Sequence, residues 1–354
     1  MSDVIAQIEN GVGRLTLNRP AALHALNTAM CELMIEALLA WRGDPAVHAV
    51  LIDHSGERGF CAGGDIRMLA ESGAGDGAAA RRFFFIEYQL NVLLFDYPKP
   101  VVTIMDGVTM GGGVGLAMPS RYRVATERTN FAMPETGIGL FPDVGGGWHL
   151  PRLPGETGMW LALTGARLRG ADGLALGIAT HFVESGKVAE LKEFLVSAHP
   201  RLCGDEQIKE ALSRFQSDPG PAPIAARRAD IDRLFAGNSV EAIFAALAAD
   251  PSDWAKAQLD TLKTKSPQTL KVAFRQLRQG AAMTSFAGEM AVEYRIGARV
   301  VQRPDFIEGV RAVIVDKDNA PRWDPASLDG VTEAMLDAIF ATLPSDEEWH
   351  ALPD

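Results

Sequence analysis

Residues 101–115, VVTIMDGVTMGGGVG, contain the turn on which the predicted fold depends. Val101–Met105 is a mostly apolar run of strand length, which predicts a buried strand. Gly111-Gly112-Gly113 follows, and a helix is predicted to begin there. A similar passage from strand to glycine turn to helix occurs at residues 59–66, GFCAGGDI. Because strands alternate with helices through the first half of the chain, the pattern predicts an α/β fold.

Other turns and caps extend this assignment along the chain. Asn10-Gly11 between apolar runs predicts a β-hairpin, since both residues tolerate positive φ. Asn27 is expected to cap a helix that ends near Gly43. After about Pro154, helical patterns dominate, and residues 217–226 are expected to form a loop. The predicted helices of this second half include 158–163, 171–176, 187–198 and 240–247. We therefore predict a catalytic core over residues 1–185 and a mainly helical region over residues 186–354.

Composition narrows the class of protein. The chain of 354 residues has 34 Lys and Arg against 45 Asp and Glu, a net charge of −11. That charge disfavours a nucleic-acid partner. The three cysteines Cys31, Cys61 and Cys203 are far apart, which argues against a disulfide framework and against a zinc ribbon. No apolar run approaches a membrane span, and the first 20 residues do not resemble a secretory signal. We therefore expect a cytoplasmic protein with no metal and no membrane partner.

The glycine clusters allow two interpretations. Gly111, Gly112 and Gly113 follow an apolar strand, and Gly63 and Gly64 follow another. Backbone N–H groups at such turns can stabilise a developing negative charge. Alternatively, the glycines permit a crowded strand–helix crossing. Neither cluster ends in the Gly-Lys-Ser/Thr of a P-loop, and neither has the spacing of a dinucleotide fingerprint.

Two acidic residues stand in apolar, glycine-rich and proline-rich surroundings. Glu135 lies in MPETG and Asp143 in FPDVGGG. Burial of a carboxylate raises its pKa and is typical of functional sites. The alternative is that each acid braces a loop through hydrogen bonds to backbone N–H groups. His24 and His149 have no evident catalytic partner, and Cys61 has no recognisable His partner, so we interpret all three as structural residues.

Three motifs together resemble the enoyl-CoA hydratase/isomerase, or crotonase, superfamily. They are Phe60–Ile66 (FCAGGDI), Met110–Gly113 (MGGG) and Met133–Glu135 (MPE). Residues 17–20, LNRP, fit as well, although His24 stands where that family commonly has Asn. The resemblance implies a crotonase-like spiral of strand–strand–helix units, here followed by a helical C-terminal region. It also implies an acyl-CoA substrate.

Within this superfamily the chain most resembles the 3-hydroxyisobutyryl-CoA hydrolases. The most specific stretch is residues 131–147, FAMPETGIGLFPDVGGG, and Phe84–Asn91 is the second. The third is C-terminal and comprises Ser266-Pro267, residues 275–277, 293–295, 306–312 and 316–318. The resemblance covers nearly the whole chain and is weakest between about residues 184 and 250. It implies hydrolysis of the thioester of 3-hydroxyisobutyryl-CoA, or of a similar short 3-hydroxyacyl-CoA, as in valine catabolism. No separate cofactor is implied, because coenzyme A is part of the substrate.

Gly115 separates the hydrolases from the hydratases on chemical grounds. Hydratases of this family use two glutamates, one just after the glycine triplet and one in the Pro-Glu motif. Here the first position is Gly115, which can neither donate nor accept a proton, and only Glu135 remains. Losing one of two acid/base groups should slow hydration ~10²–10⁴-fold, whereas hydrolysis can proceed with one carboxylate and an oxyanion hole.

The resemblance also implies residue roles. The backbone N–H groups of Gly64 and Gly112 would hold the thioester oxygen, and Glu135 would attack the carbonyl or activate a water. Asp143 would bind the substrate's 3-hydroxyl, and Glu87 is also placed at the substrate. Two alternatives remain open: an enoyl-CoA hydratase or isomerase, and a non-catalytic acyl-CoA-binding protein. Assembly into a homo-oligomer is also left open.

Overall fold

The computed structural model describes residues 2–198 and 203–353. The strands are β1 (Val4–Glu9), β2 (Val12–Leu17), β3 (Ala49–His54), β4 (Gly59–Cys61), β5 (Val101–Met105), β6 (Val108–Met110), β7 (Tyr122–Ala125), β8 (Asn130–Ala132), β9 (Leu168–Arg169) and β10 (His181–Phe182). The α-helices are α1 (Thr28–Gly43), α2 (Ile66–Gly73), α3 (Ala78–Phe95), α4 (Gly112–Ala117), α5 (Gly146–His149), α6 (Thr157–Thr164), α7 (Gly170–Ala175), α8 (Val188–Val196), α9 (Asp205–Phe215), α10 (Arg228–Leu234), α11 (Val240–Ala249), α12 (Asp253–Lys263), α13 (Pro267–Gly280), α14 (Phe286–Val300), α15 (Pro304–Val310) and α16 (Glu333–Phe340). The alternation of strands and helices confirms the predicted α/β class.

The first of two compact units is built on sheets and comprises the described parts of residues 1–64, 89–131 and 167–225. Its larger sheet has the order β1-β2-β3-β5-β7-β10, and its smaller sheet has the order β4-β6-β8-β9. In the larger sheet, β1 and β2 form an antiparallel hairpin and the later strands pair in parallel. All six residues of β3 are buried, as expected for a parallel strand covered on both faces.

Local signals predicted this unit well. Asn10 and Gly11 form the hairpin turn with φ of 47° and 86°, and the Asn27 side chain caps α1 by accepting the Met30 N–H at 2.9 Å. Two boundaries differ from the prediction. The helix expected over 187–198 is confined to α8, and the loop expected over 217–226 runs into a 3₁₀ turn at Pro223–Arg227.

The second unit is mainly helical and comprises the described parts of residues 65–88, 132–166 and 226–354. In it, α13 packs against α5 and α6, and α14 packs against α5 and α16. Helix α15 packs against α2 and against a 3₁₀ turn at Glu135–Ile138. Each unit combines three separate stretches of chain, whereas the predicted division at residue 185 follows sequence order, and that division stays a prediction. In the described residues of both units, no helix is both long enough and apolar enough to cross a bilayer.

A stability prediction follows from the contact between α4 and β4. A Cβ atom added at Gly113 would lie 2.5 Å from the backbone oxygen of Cys61, and a backbone atom cannot move away cheaply. We expect Gly113→Ala to lower the free energy of unfolding by about 1–3 kcal/mol, as overpacking usually does. Urea unfolding of the purified chain measures this change.

Gly43 provides the matched control, since a Cβ there meets no atom within 4 Å. Gly43→Ala at the end of α1 should leave stability unchanged or raise it by about 0.4–1 kcal/mol. Equal urea midpoints for the two variants would show that the α4–β4 contact is not tight.

Candidate active site

Two glycine turns meet at one edge of the smaller sheet. Strands β4 and β6 are parallel neighbours, so the turns that follow them leave the sheet at the same edge. A Cβ atom at Gly63 would lie 3.7 Å from the backbone nitrogen of Gly112. Gly63 has a φ of 115°, a conformation that favours glycine. Sequence spacing could not show that the two turns are adjacent, and the structure shows that they are.

The second turn presents a helix N-terminus. Gly112 is the first residue of α4, whose six residues are all buried. The first N–H groups of a helix have no partner within that helix and favour negative charge. On the other turn, the Gly63 carbonyl accepts the Leu26 N–H at 2.8 Å, which fixes the backbone beside Gly64. This geometry suits the proposed oxyanion hole, while the roles of Gly64 and Gly112 stay predictions.

Glu135 opens a tightly packed turn in the second unit. Its side chain is buried, 5% exposed, at the start of the 3₁₀ turn Glu135–Ile138. The next residue, Thr136, donates its hydroxyl to the Leu163 carbonyl at 3.1 Å and accepts the Ser266 N–H at 3.1 Å. The turn is therefore held by the end of α6 and the start of α13. These contacts fix the backbone from which the Glu135 side chain extends.

Asp143 lies in the same unit on the loop before α5. It is 5% exposed, and its Oδ2 accepts a hydrogen bond from the Tyr88 hydroxyl at 2.9 Å. The loop has an unusual backbone, since Val144 has a φ of 52° and Gly145 a φ of 90°. Positive φ is costly for a β-branched residue such as Val. Other contacts must therefore hold this loop in place.

Three buried carboxyl groups influence one another at this point. Burial, and then the charge of Asp143, raises the pKa of Glu135 well above its ordinary value, and the same two causes raise the pKa of Glu87. Burial raises the pKa of Asp143 to about 7, against the opposing effect of the Tyr88 hydrogen bond. Oε2 of Glu135 and Oε1 of Glu87 have no hydrogen-bond partner among the described residues. Buried polar atoms without partners are rare and typical of functional sites.

The other residues considered in the sequence analysis make structural contacts with nearby groups. Gly115 is buried inside α4, and its carbonyl accepts the Asn91 side-chain amide at 3.0 Å. His24 accepts the Arg19 N–H at its Nδ1 at 3.0 Å, and the Cys61 thiol lies 3.2 Å from the His24 carbonyl oxygen. The His149 ring packs against Phe286 with ring centroids 5.5 Å apart. Among the side chains that the structure describes, no group of three or more His, Cys, Asp or Glu residues is arranged to hold a metal ion.

The sequence interpretation missed residues that support the Asp143 loop. Tyr88 contacts Asp143 directly, and Glu293 accepts N–H groups from the loop. A signal for Glu293 was present. Residues 286, 289, 290, 293, 297 and 300 of α14 are all buried and follow helical spacing, so two acids, Glu289 and Glu293, lie on the face expected to be apolar.

Comparison with known proteins shows the family. The model of the enoyl-CoA hydratase/isomerase family matches residues 12–340, and the chain belongs to this family. A relative from Xenopus laevis named 3-hydroxyisobutyryl-CoA hydrolase, mitochondrial, is 46% identical over 338 residues, covering 94% of this chain and 87% of the relative. The protein of the same name from Homo sapiens is 42% identical over 350 residues, covering 98% and 90%.

Solved structures confirm the crotonase-like fold. A carnitinyl-CoA dehydratase from Mycobacterium thermoresistibile has a TM-score of 0.92 and 42% identity, with 98% of each chain covered. An enoyl-CoA hydratase from Rhodobacter sphaeroides 2.4.1 has a TM-score of 0.89 and 38% identity, covering 98% of this chain and 99% of its own. The names of these two proteins differ from those of the hydrolase relatives, so the residues of the site must decide between the activities.

The prediction of a cytoplasmic location is wrong. The relatives from Xenopus laevis and Homo sapiens are both named as mitochondrial proteins. The prediction relied on the lack of a membrane span and of a secretory signal. These properties suit a folded chain in any aqueous compartment, so they could not distinguish one compartment from another.

The coupling between the acids can be tested by titration. Because the Asp143 charge raises the pKa of Glu135, we expect Asp143→Asn to lower the pKa of Glu135. Because the Tyr88 hydroxyl lowers the pKa of Asp143, we expect Tyr88→Phe to raise it. Side-chain ¹³C carboxyl shifts against pH measure both values, with Glu135→Gln used to assign the Glu135 signal. An unchanged Glu135 midpoint in Asp143→Asn would show that these two carboxyl groups do not interact, and an unchanged Asp143 midpoint in Tyr88→Phe would show that the Tyr88 hydrogen bond does not affect Asp143.

Proposed function

We propose that this chain hydrolyses the thioester of 3-hydroxyisobutyryl-CoA, or of a similar short 3-hydroxyacyl-CoA, to the free hydroxy acid and CoA. One observation carries the proposal. Glu135 is a buried carboxyl with an unpartnered oxygen, while the other acid/base position of the hydratases is the side-chain-free Gly115. The names of relatives at 42–46% identity support the same reaction.

In the first route, Glu135 acts as a general base. It takes a proton from water as the water oxygen attacks the thioester carbonyl. The C–S bond then breaks, and the proton passes to the departing sulfur, which leaves as the CoA thiol. A general base works best when its pKa lies near the working pH. Burial raises the pKa of Glu135 above the ordinary carboxyl range, which makes its carboxylate a stronger base than an exposed one.

In the second route, Glu135 is the nucleophile. Its carboxylate attacks the carbonyl, the thiolate leaves and is protonated by solvent, and a mixed anhydride forms on the enzyme. Water then cleaves the anhydride and restores Glu135. Desolvation strengthens a carboxylate nucleophile once it is ionised. Both routes use the same side chain, and the proposal includes both.

The glycine turns are proposed to provide the hydrogen-bond donors for the thioester oxygen. In either route the thioester oxygen gains negative charge, and we propose that the backbone N–H groups of Gly64 and Gly112 receive it. Loss of one such donor typically slows an enzyme ~10²–10³-fold. These donors are backbone groups, buried at Gly112 and half-buried at Gly64, so they are already oriented when the charge develops.

Asp143 is proposed to select the substrate. Its Oδ2 is bound by Tyr88, and the nearby Glu87 has an oxygen without a partner. A substrate hydroxyl can donate to one carboxyl and accept from another that keeps its proton. The pKa of about 7 for Asp143 permits both forms near neutral pH.

The role of Glu135 predicts the first kinetic result. Glu135→Gln keeps the shape of the side chain but removes the base and the nucleophile, so kcat should fall ~10²-fold or more. Thiol release from 3-hydroxyisobutyryl-CoA measures kcat, and calorimetry with the free acid and CoA tests whether binding survives. Glu36→Gln on the exposed face of α1 is the control and should match the wild type. More than a tenth of wild-type turnover in Glu135→Gln would remove Glu135 from the chemistry.

The role of Asp143 predicts a change in selectivity. The wild type should prefer 3-hydroxyisobutyryl-CoA to isobutyryl-CoA, because a site built for a hydroxyl leaves its own polar group unpaired without one. Asp143→Ala should narrow that preference, and Asp143→Asn should keep part of it. The measurement is kcat/KM for both thioesters with all three proteins. Proportional losses on the two substrates would mean that Asp143 serves hydrolysis or the loop, and Glu87 would be the next candidate.

Hydration of an enoyl-CoA is the second candidate function. It is favoured by the hydratase and dehydratase names of the two solved structures at 38–42% identity. Crotonyl-CoA distinguishes the candidates, since hydration removes its enoyl absorbance without releasing thiol. Fast hydration and slow thiol release would overturn the proposed function. Binding of both thioesters without turnover would instead support a non-catalytic acyl-CoA-binding protein.

Assembly into a homo-oligomer stays a prediction.

A further inference from the structure

Glu293 contacts the Asp143 loop at two backbone positions. Gly145 N–H donates to Glu293 Oε2 at 2.9 Å, and Gly147 N–H donates to Oε1 at 3.0 Å. The Gln276 amide also donates to Glu293 Oε1 at 3.1 Å and to the Pro142 carbonyl at 2.9 Å. One side chain on α14 and one on α13 therefore hold the backbone on both sides of Asp143.

The loop needs these contacts because its own conformation is unfavourable. Val144 and Gly145 both have positive φ. A Cβ added at Gly147 would meet the Glu289 carboxyl group, so this part of the loop is closely packed against α14. The short helix α5 begins at Gly146 without a side-chain cap. Glu293 takes the place of that cap by accepting N–H groups at the start of the helix.

Glu289 is a natural comparison for Glu293. It lies one turn earlier on α14 and is also buried, yet neither of its carboxyl oxygens has a hydrogen-bond partner among the described residues. Burial raises its pKa to about 7, and Arg152 opposes that shift. Burial and then Glu289 raise the pKa of Glu293, while the Gly145 and Gly147 N–H groups lower it. Two buried acids on one helix therefore differ in whether they bind the loop.

We propose that Glu293 is a positioning residue: by accepting the Gly145 and Gly147 N–H groups, it fixes the loop that presents Asp143 and so sets selectivity for a hydroxylated acyl group. This inference rests on the proposed function. Glu293 itself need not contact substrate, and its effect passes through the loop backbone. The other titratable groups near it are Asp143 on the loop, Glu289 on the same helix, and Tyr88 on α3.

Glu293→Gln tests the proposal. Glutamine has the same shape, but only its oxygen accepts, and its NH₂ group would face one of the two backbone N–H groups. We expect kcat/KM for 3-hydroxyisobutyryl-CoA to fall roughly tenfold or more, and that for isobutyryl-CoA to fall much less. In the ¹H–¹⁵N spectrum, the Gly145 and Gly147 amide signals should shift and exchange faster with solvent. Glu293→Asp, which keeps two acceptors on a shorter arm, should lose less selectivity than Glu293→Gln.

Glu289→Gln is the matched control, because it changes a buried acid on the same helix without removing a hydrogen bond. Its two kcat/KM values should stay within about threefold of the wild type, and its Gly145 and Gly147 amides should exchange with solvent no faster than in the wild type, because their hydrogen bonds to Glu293 remain. Proportional losses on both thioesters in Glu293→Gln would overturn the proposal and assign Glu293 a purely structural role. The same selectivity loss in Glu289→Gln would also overturn it. If the wild type hydrolyses neither thioester, the proposed function fails, whereas the amide measurements still show whether Glu293 holds the loop.

Discussion

The burial of five carboxyl groups in one unit is the constraint on which the candidate site depends. Glu87, Glu135, Asp143, Glu289 and Glu293 are each 5% exposed or less. A low-dielectric interior cannot hold five neighbouring negative charges, so protons are retained and each pKa is raised. The folded chain then binds more protons than the unfolded chain near neutral pH. Its free energy of unfolding therefore falls as pH rises from the ordinary carboxyl range towards the raised pKa values.

At Asp143 and Glu293 this instability is offset by neutral hydrogen-bond donors, whereas Arg152 opposes the pKa shift of Glu289. Tyr88 donates to Asp143, and backbone N–H groups donate to Glu293. Each contact satisfies an acceptor without neutralising its charge, so the acids remain available as bases or hydrogen-bond acceptors. A lysine or arginine paired with Glu135 would have lowered its pKa and weakened it as a base. The surroundings of the acids thus keep each pKa above the ordinary carboxyl range.

The sequence predicted the turns and caps that depend on residues next to one another in the chain. Asn10-Gly11, the cap at Asn27 and the glycine turns were identified because a turn or cap needs particular residues at adjacent positions. Gly115 was recognised through the family resemblance, which implies a glutamate at this position in the hydratases. Tyr88 and Glu293 were not assigned roles, since their partners lie 55 to 148 positions away. The sequence also could not predict that the two glycine turns are adjacent, because their adjacency depends on the pairing of β4 with β6.

The distance along the chain between the loop and Glu293 has a consequence for folding. The Gly145 and Gly147 contacts with Glu293 join residues 148 and 146 positions apart, and the eight helices α6 to α13 lie between them in the described part of the chain. Closing so long a loop costs chain entropy before any contact compensates for it, which slows folding. During synthesis, the strained backbone at Val144 must wait until α14 has emerged. We therefore expect Asp143 to become ordered late, because the Glu293 hydrogen bonds that hold its loop cannot form before α14 has been made.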